Sequence, residues 1–499
     1  MYLAEVQSAG SGNRRGSRRA MGMASASMGL TLCVGVLAGC GSSYRPVVAT
    51  VGLVGPAGQP TKYAVAVSTP TKIPASGPIA FIGAWSSTTS YAINQGVSYL
   101  GTQYVSLQNA NLNQNPATMT AFWAPLSNGL VTIVDFSGDT VLVTATIGLN
   151  PYYLALSTQG GSGYTLNSDR TVTSFGVSTS LISSEVLETT LLPGASPASL
   201  FATSTNTYIP DPGVNAIDQL VGAPPALKQE LPVASGYTPI YVVGQSGSPR
   251  AYAISPSTGG GPGQVSAIET SGNTISTTLS VGRGPVYGVM TVDDRRAFIL
   301  NQTDGTVSVI NVQNNALDTP VNTITVGTRP VWADLASGLD ELVVLNEGNG
   351  ATPGSVSLVN IPLCSVTALP NNPNCDPTNP VDATTFGQVV ATIPVGINPV
   401  MVSVLSDYSR AYVANAGNAT TPGSISVVNL TSNTVTATIP IPNNGHPAYI
   451  ATSNAAPTGK VYVVCNDLQV MTVIETDTDS VDTTIPLQGY GVSVRMTAP

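Results

Sequence analysis

The side chains best suited to binding chemistry lie in short loops that each precede an apolar segment. They are two asparagines, two arginines and the only histidine of the 499-residue chain: Asn150, Arg283, Arg329, Asn398 and His446. Amide and guanidinium groups donate hydrogen bonds to polar ligands, and a guanidinium can hold an anion through two parallel bonds. We expect these five residues to line one binding surface if their loops converge.

The same chain offers little for catalysis. A single histidine cannot form a metal site with several histidine ligands, and no Gly-x-Ser-x-Gly nucleophile turn leads into a helix. Asp135 and the pair Asp293-Asp294 fall in turns or at strand ends, so no carboxylate-rich calcium site is evident. Phosphate-binding loops and dinucleotide fingerprints are missing from the sequence. We therefore predict no catalytic residue, no metal ligand and no cofactor.

Composition narrows the class of protein. Charged residues make up 9% of the chain, against about 25% in ordinary soluble domains. Lys and Arg number 17 against 26 Asp and Glu, a net charge of −9, so the chain lacks the basic field that nucleic-acid binding needs. Hydrophobic residues reach 42%, enough for a buried core, and the abundance of Val, Thr, Ile and Tyr favours strands.

A Gly-x-x-Pro motif repeats along the chain, each time before an apolar run. Its prolines are Pro151, Pro197, Pro239, Pro285, Pro330 and Pro399, with a variant at Pro447. Successive prolines are 46, 42, 46, 45, 69 and 48 residues apart. A fixed period of about 40–50 residues is typical of propellers and solenoids.

Each repeat contains four short segments with the alternation of strands. In one repeat they follow Pro399, then run from Arg410 to Asn415, from Gly423 to Asn429, and from Thr436 to Ile439. Four strands per unit, repeated radially, predict an all-β fold of the β-propeller type. A basic residue recurs before the second strand, and we expect it to be a solvated charge at a turn with a role in the scaffold; its members are Arg250, Arg296, Arg410 and Lys460.

The repeat resembles YVTN-type propeller repeats, through Tyr412-Val413-Ala414-Asn415 and the Ser-Val-x-Val-Ile-Asn and Ile-x-Val-Gly-x-x-Pro runs. The likeness extends over residues 129–496, is best over 263–475 and is weakest over 169–256. It implies the propeller architecture and supplies no catalytic motif. Lactonase-like and virginiamycin-lyase-like propellers place acidic and histidine side chains at the channel mouth, and this chain has few of either.

The number of fourth-strand candidates gives the number of blades. They lie near residues 141, 187, 228, 274, 321, 388, 434 and 481, which predicts eight blades of four strands; seven is the alternative if the weak unit at 212–256 merges with a neighbour. The C-terminal run 490–494 has no partners of its own, and 63–68 lacks a first strand. We therefore predict that the C-terminal strand closes the ring. The propeller spans 62–499, with insertions at 75–128 and 361–387.

The first 39 residues are typical of an export signal. Four arginines between positions 14 and 19 precede an uncharged stretch that ends in Leu37-Ala38-Gly39-Cys40. These four residues resemble the lipobox of bacterial lipoproteins, in which the cysteine carries lipid. The resemblance implies lipidation of Cys40, a tether over 40–61 and a membrane anchor in the cell envelope, at the outer membrane because Gly41 is not Asp. A secreted protein with an incidental Cys40 is the alternative, and export by the Sec or the twin-arginine route stays open.

Two further cysteines lie twelve residues apart, counted inclusively, in the second insertion. In an exported chain this spacing predicts a disulfide between Cys364 and Cys375. Cys465 follows the apolar run Val461 to Val464, so we expect a buried, unreactive thiol.

These observations favour a lipid-anchored, monomeric, non-enzymatic propeller that acts as a binding or interaction scaffold. Its partners are the membrane and a protein or glycan, and no nucleic acid. The alternative is a propeller hydrolase or lyase, lactonase-like, that acts at the channel mouth. A third hypothesis is self-assembly into a surface layer, which the low charge would suit.

Overall fold

A computed structural model describes residues 62–72, 79–319, 321–362, 385–453 and 459–497. Apart from three short 3₁₀ helices, Ser183–Glu185, Ser337–Leu339 and Pro442–Asn444, the regular structure in these ranges is all strand. The helices found there are too short to span a bilayer. The export signal, Cys40, the tether over 40–61, Cys364 and Cys375 lie outside the described residues.

Eight sheets of at least four strands follow the repeat. From inner to outer strand, sheet 1 is Tyr490–Met496, Tyr63–Thr69, Asn128–Asp135 and Thr140–Leu149, and sheet 2 is Pro151–Leu156, Ser162–Asn167, Thr171–Gly176 and Leu187–Thr190. Sheet 3 is Phe201–Ala202, Asn206–Asp211, Ala216–Val221 and Ala226–Pro232, and sheet 4 is Tyr241–Gly244, Arg250–Ser255, Pro262–Glu269 and Thr274–Arg283. Sheet 5 is Pro285–Met290, Arg296–Asn301 and Thr306–Asn311, with Ala316–Leu317 and Thr323–Thr325 both paired to the third strand. Sheet 6 is Pro330–Ala336, Glu341–Asn346, Pro353–Asn360 and Val389–Ile397. Sheet 7 is Pro399–Val404, Arg410–Asn415, Ser424–Asn429 and Thr434–Pro440, and sheet 8 is Pro447–Ser453, Lys460–Cys465, Val470–Glu475 and Ser480–Pro486.

Sheet 1 combines the two ends of the described chain. Its inner strand is antiparallel to the second strand, with Val65 opposite Arg495 and Ala66 opposite Val494. The inner strands of consecutive sheets contact one another, and the inner strand of sheet 1 contacts those of sheets 8 and 2.

Burial along each strand explains its sequence. Each second strand belongs to a sheet that is covered on both faces by its neighbours, so Lys460–Cys465 is buried at every position. Cys465 is 1% exposed, which confirms the predicted burial of its thiol. Outer strands such as Thr434–Pro440 alternate between exposed and part-buried positions. Continuous apolar runs therefore form the second strands, and alternating runs form the outer ones.

Adjacent sheets are joined where the glycine of the Gly-x-x-Pro motif meets an asparagine. Asn346, which ends the second strand of sheet 6, has its side chain against Gly327, and a Cβ at Gly327 would lie 2.5 Å from Asn346 Cγ. The Asn346 amide donates to Ser357 Oγ at 3.0 Å. The same arrangement pairs Gly396 with Asn415. Gly148 with Asn167 and Gly282 with Asn301 repeat it elsewhere. Glycine is required because any side chain would occupy the space of the amide.

The proline of the motif makes a second close contact. Four of the seven prolines pack on a glycine near the start of the third strand of the preceding sheet; the pairs are Pro151 with Gly129, Pro285 with Gly263, Pro399 with Gly354 and Pro447 with Gly423. Backbone and ring therefore approach more closely than two ordinary side chains allow.

The recurring basic residues have a scaffold role, but the prediction that they are solvated is wrong for Arg296 and Lys460, while Arg250 and Arg410 stay partly exposed. Arg296 is 4% exposed and pairs with Asp318 at 2.7 Å, and Lys460 is 7% exposed. Lys460 in sheet 8 pairs with Asp139, in the turn before the outer strand of sheet 1. Arg410 in sheet 7 pairs with Asp479, in the corresponding turn of sheet 8, at 2.8 Å. Packing between sheets removes these charges from water, and a carboxylate or carbonyl of a neighbouring turn compensates them.

The first insertion forms a small sheet of its own. Its strands are Ala80–Ala84, Gln95–Tyr99, Thr102–Ser106 and Trp123–Pro125, beside a short pair, Ser90–Tyr91 with Asn111–Leu112. Tyr91, Val97 and Trp123 pack together at its centre. Residues 73–134 contain no charged side chain and no histidine.

We expect Gly327→Ala to lower the free energy of unfolding by roughly 1–3 kcal/mol, because the new Cβ overlaps the Asn346 side chain. Urea denaturation measures the change. Gly176→Ala is the control, since a Cβ there meets no atom within 4 Å. Equal effects of the two substitutions would show that the glycine–asparagine contact does not hold the sheets together.

Candidate functional site

A cavity of about 550 Å³ lies among the inner strands and shares lining residues with a second one of about 300 Å³. Every one of the eight inner strands contributes residues to their walls, and both cavities are lined by Phe201, Tyr241, Arg495 and Met496. The larger cavity extends to Val292, Ser337 and Ser406, in loops that follow inner strands. This volume is in the range of small-molecule sites.

Aromatic side chains enter the cavity region from one repeated position, two residues after the motif's proline. Tyr153, Tyr241, Tyr287 and Trp332 line the two cavities, and Tyr449 lines a neighbouring pocket of about 260 Å³. In sheets 2, 5, 6, 7 and 8, the register between inner and second strands shifts between the proline and this position. One extra residue there forms a bulge, and a bulge changes the direction in which the next side chain points.

The rings form a continuous series. Tyr287 stacks on Trp332 with 4.1 Å between ring centroids and lies 4.7 Å from Tyr241. Tyr449 meets Trp332 edge to face at 5.9 Å. Such pairs each contribute about 0.5–1.5 kcal/mol beyond area burial. Four sheets therefore supply one rigid aromatic wall.

Arg495 is the only basic residue in the lining of the two cavities. Its guanidinium lies 4.4 Å from the centroid of the Tyr449 ring, and its Nε donates to Leu154 O at 3.4 Å. Among the described residues no carboxylate forms an ion pair with it. A guanidinium is protonated throughout the physiological pH range, so Arg495 keeps its positive charge in the cavity.

The tyrosines of the wall stay neutral. Burial raises the pKa values of Tyr153, Tyr241, Tyr287 and Tyr449 above the ordinary value for a phenol. Their rings give apolar contact, and their hydroxyls remain able to donate hydrogen bonds.

Asp334 is the only carboxylate in the lining of the larger cavity. Its Oδ1 accepts from the backbone N–H of Leu335 and its Oδ2 from that of Val404, both at 2.8 Å. Burial raises the pKa of Asp334 to about 6, although these hydrogen bonds and Arg495 lower it. Asp334 is therefore ionised for the most part at neutral pH and opposes a second negative charge in the cavity.

The five residues singled out from the sequence lie in the loops that precede the inner strands, and three of them have a partner close by in their own repeat. Arg283 pairs with Asp304 at 2.6 Å, Arg329 with Glu347 at 2.9 Å, and the Nδ1 of His446 lies 2.6 Å from Asp467. Each carboxylate follows the second strand of the next sheet, so the pairs repeat around the molecule. None of the five lines the 550 Å³ cavity.

The two asparagines serve the turn that enters an inner strand. Asn150 is 1% exposed; its side chain accepts from Thr69 Oγ1 at 3.1 Å and donates to Ser168 Oγ at 2.7 Å, and it lines a separate pocket of about 260 Å³. Asn150 has φ +43° and Asn398 φ +52°. Asparagine tolerates this left-handed conformation better than most residues, which is a structural reason for both.

Sequence analysis missed the aromatic wall, Asp334 and Arg495. The wall has a signal, because an aromatic residue stands two positions after Pro151, Pro239, Pro285, Pro330 and Pro447. Arg495 has none, because its strand follows no Gly-x-x-Pro motif. Within the described ranges, no cluster of three or more His, Cys, Asp or Glu is placed to hold a metal ion.

Comparison with known proteins shows the fold alone. No family model and no curated protein matches the sequence. The structure is similar to that of the dihydro-heme d1 dehydrogenase NirN in complex with DHE, with a TM-score of 0.55 and 12% identity over 73% of this chain and 72% of that one. It is also similar to apo AztD from Citrobacter koseri, with a TM-score of 0.51 and 12% identity over 74% and 94% of the two chains. Both are β-propeller proteins, and this chain has a β-propeller fold.

A pair of buried carboxyl groups lies away from the cavity, in sheet 3. Asp211 ends the second strand, at the position where other repeats have asparagine. Asp218 has the position of the third-strand serines Ser308 and Ser357, which accept hydrogen bonds from Asn301 and Asn346 in their own sheets. Asp211 and Asp218 are 0% and 2% exposed. Two buried negative charges in one sheet are unfavourable, which favours the protonated form of one carboxyl group. Burial, and then the charge of Asp211, raises the pKa of Asp218 to about 7.

Because the folded state keeps this proton up to about pH 7 and the unfolded carboxyl loses it near pH 4, the free energy of unfolding should fall as the pH rises through this interval. Asp218→Asn supplies a donor without a titrating proton. We expect it to raise the melting temperature at pH 7 and to flatten the dependence between pH 4 and 7, as measured by calorimetry. Asp482→Asn, at an exposed position, is the control; an unchanged slope in Asp218→Asn would contradict the raised pKa of Asp218.

Proposed function

We propose that this chain is a lipid-anchored, eight-bladed propeller of the cell envelope that binds a small molecule in its central channel without transforming it. One observation carries the binding function. All eight inner strands contribute to the walls of a pair of adjoining, aromatic-lined cavities that contain Arg495, which forms no ion pair with any described residue. A part-buried guanidinium that no carboxylate contacts is costly in an empty protein and is stabilised once an anion or polar ligand binds.

Eight blades and closure by the C-terminal strand are supported by the junctions between sheets. Lys460 and Tyr462 of sheet 8 contact Asp139 of sheet 1 as Arg410 and Tyr412 of sheet 7 contact Asp479 of sheet 8. The same kind of contact thus recurs where the last sheet meets the first. A closed ring leaves no open sheet edge and fixes the inner strands around the channel.

The envelope location rests on the sequence Leu37-Ala38-Gly39-Cys40 and the arginines before it. We place the protein at the outer membrane, attached through lipid on Cys40, with YVTN-type repeats as its propeller and a disulfide between Cys364 and Cys375. Stable anchoring needs more than one acyl chain, because each buried CH₂ contributes about 0.8 kcal/mol.

A second candidate function is favoured by Asp334. A carboxyl group with a pKa of about 6 in a ligand cavity has the protonation behaviour of a general acid or base. The backbone amides that hold both Asp334 oxygens give it a structural role as well. Whether bound molecules are recovered unchanged therefore separates a binding protein from a hydrolase or lyase.

Replacing Cys40 by Ala should release the protein from membranes, because the acyl chains attach to this residue in lipoproteins. Fractionation of cells that express the full chain measures the release. Cys465→Ala is the matched control, since that thiol is buried and should leave membrane attachment intact. Equal membrane association of the Cys40 variant and the unmodified chain would rule the anchor out.

Binding in the channel is tested by narrowing its mouth. Ser406 is exposed and lines the larger cavity, so we expect Ser406→Trp to abolish the stabilisation that ligands from a small-molecule library give in a thermal-shift screen. Thr328→Trp, exposed in a loop that precedes the inner strand of sheet 6, should keep it. Mass spectrometry should recover the ligands unchanged. Ligands that stabilise both variants alike would place binding outside the channel.

A further inference from the structure

Among the described residues, two charged side chains line the two cavities, the cation Arg495 and the carboxylate Asp334, and their signs restrict the ligand. Backbone amides hold both Asp334 oxygens, so a neutral ligand would leave the guanidinium without a carboxylate in contact. A second negative charge on the ligand would find no further cation and would be opposed by Asp334. The balance favours one negative charge.

The chemistry of the guanidinium identifies the group that carries this charge. Its planar fork matches a carboxylate, which it can hold through two charge-assisted hydrogen bonds. The Nε–H is directed to Leu154 O, and the ring of Tyr449 packs on the guanidinium plane. Both contacts fix the group in position and neither supplies a negative charge.

The remaining wall is suited to an apolar body. Tyr287, Trp332, Met401 and Ile450 line the larger cavity. The mutual packing of Tyr241, Tyr287, Trp332 and Tyr449 holds the rings in place, so little side-chain freedom is lost when a ligand packs on them. A cavity of about 550 Å³ accommodates a ring with a short side chain.

We propose that the channel selects small monocarboxylates with an aromatic or apolar body, with Arg495 bound to the carboxylate and the aromatic wall around the body. This inference rests on the channel-binding function proposed above and specifies its ligand class. It does not depend on the lipid anchor.

Three probes separate the contributions. Benzoate carries the carboxylate and the ring, benzamide has the same shape without the charge, and inorganic phosphate has charge without a ring. Calorimetric titration of the purified chain should show benzoate binding about tenfold or more tighter than either of the others, because charge-assisted hydrogen bonds in a desolvated site are the strong ones. Benzoate should also change the fluorescence of Trp332, and Trp332→Phe identifies its signal among the three tryptophans.

Two substitutions of the arginine test its role. Arg495→Gln should reduce benzoate affinity to that of benzamide, and Arg495→Lys, which keeps the charge without the fork, should give an intermediate affinity. Arg283→Gln, at an exposed arginine outside the cavity, is the matched control and should bind benzoate like the unmodified chain.

Each result has one consequence. Equal affinity for benzoate and benzamide, or tighter binding of phosphate, overturns the ligand class while channel binding stands. Unchanged benzoate affinity in Arg495→Gln overturns the role of Arg495. If Arg495→Gln does not fold, the comparison of the three probes on the unmodified chain still decides. Absence of benzoate binding also overturns the inference, whereas the proposed channel function fails only if the Ser406→Trp screen fails as well.

Discussion

Contact between a glycine without a side chain and a buried asparagine amide joins successive sheets at four junctions among the described residues. The glycine belongs to the end of one sheet and the asparagine to the second strand of the next, so the contact crosses every junction where both are present. A repeat protein depends on such nearest-neighbour interfaces because no sheet can bury its faces alone. The inner strands, and with them the channel wall, take their spacing from these junctions.

Much of the fold could be predicted from the sequence because the residues that form the junctions are also the ones that repeat visibly. The motif ending at Pro330 and the strand ending at Asn346 recur with a period that gives both the unit and its four strands. The structure has a strand at each of the eight fourth-strand positions, and Tyr490–Met496 pairs with Tyr63–Thr69. Burial of Lys460 could not be predicted, because its partner lies in a turn of a different repeat. Lys460 and Asp139 are more than 300 residues apart in the chain.

Prediction of the candidate site from sequence was limited for a related reason. Polar residues in loops are conspicuous, yet Arg283, Arg329 and His446 each have a carboxylate within their own repeat unit, and a local partner cannot be recognised from charge alone. The aromatic wall is less conspicuous because a bulge after the proline displaces its residues from the alternation expected of a strand. A bulge leaves one residue of the inner strand without a backbone partner on the second strand. It also turns a side chain of the inner strand towards the channel. Pro-x-aromatic spacing is therefore the sequence feature of this chain that most directly indicates the channel wall.

The arginine stands on the one inner strand that departs from the repeat. All eight inner strands follow an outer strand in the chain, and seven of them are entered through a proline of the repeated motif. The eighth, Tyr490–Met496, is entered without that proline. This irregular strand supplies a single positive charge beside the aromatic residues of its neighbours. The strand that completes sheet 1 is thereby also the one that distinguishes this channel from a purely apolar one.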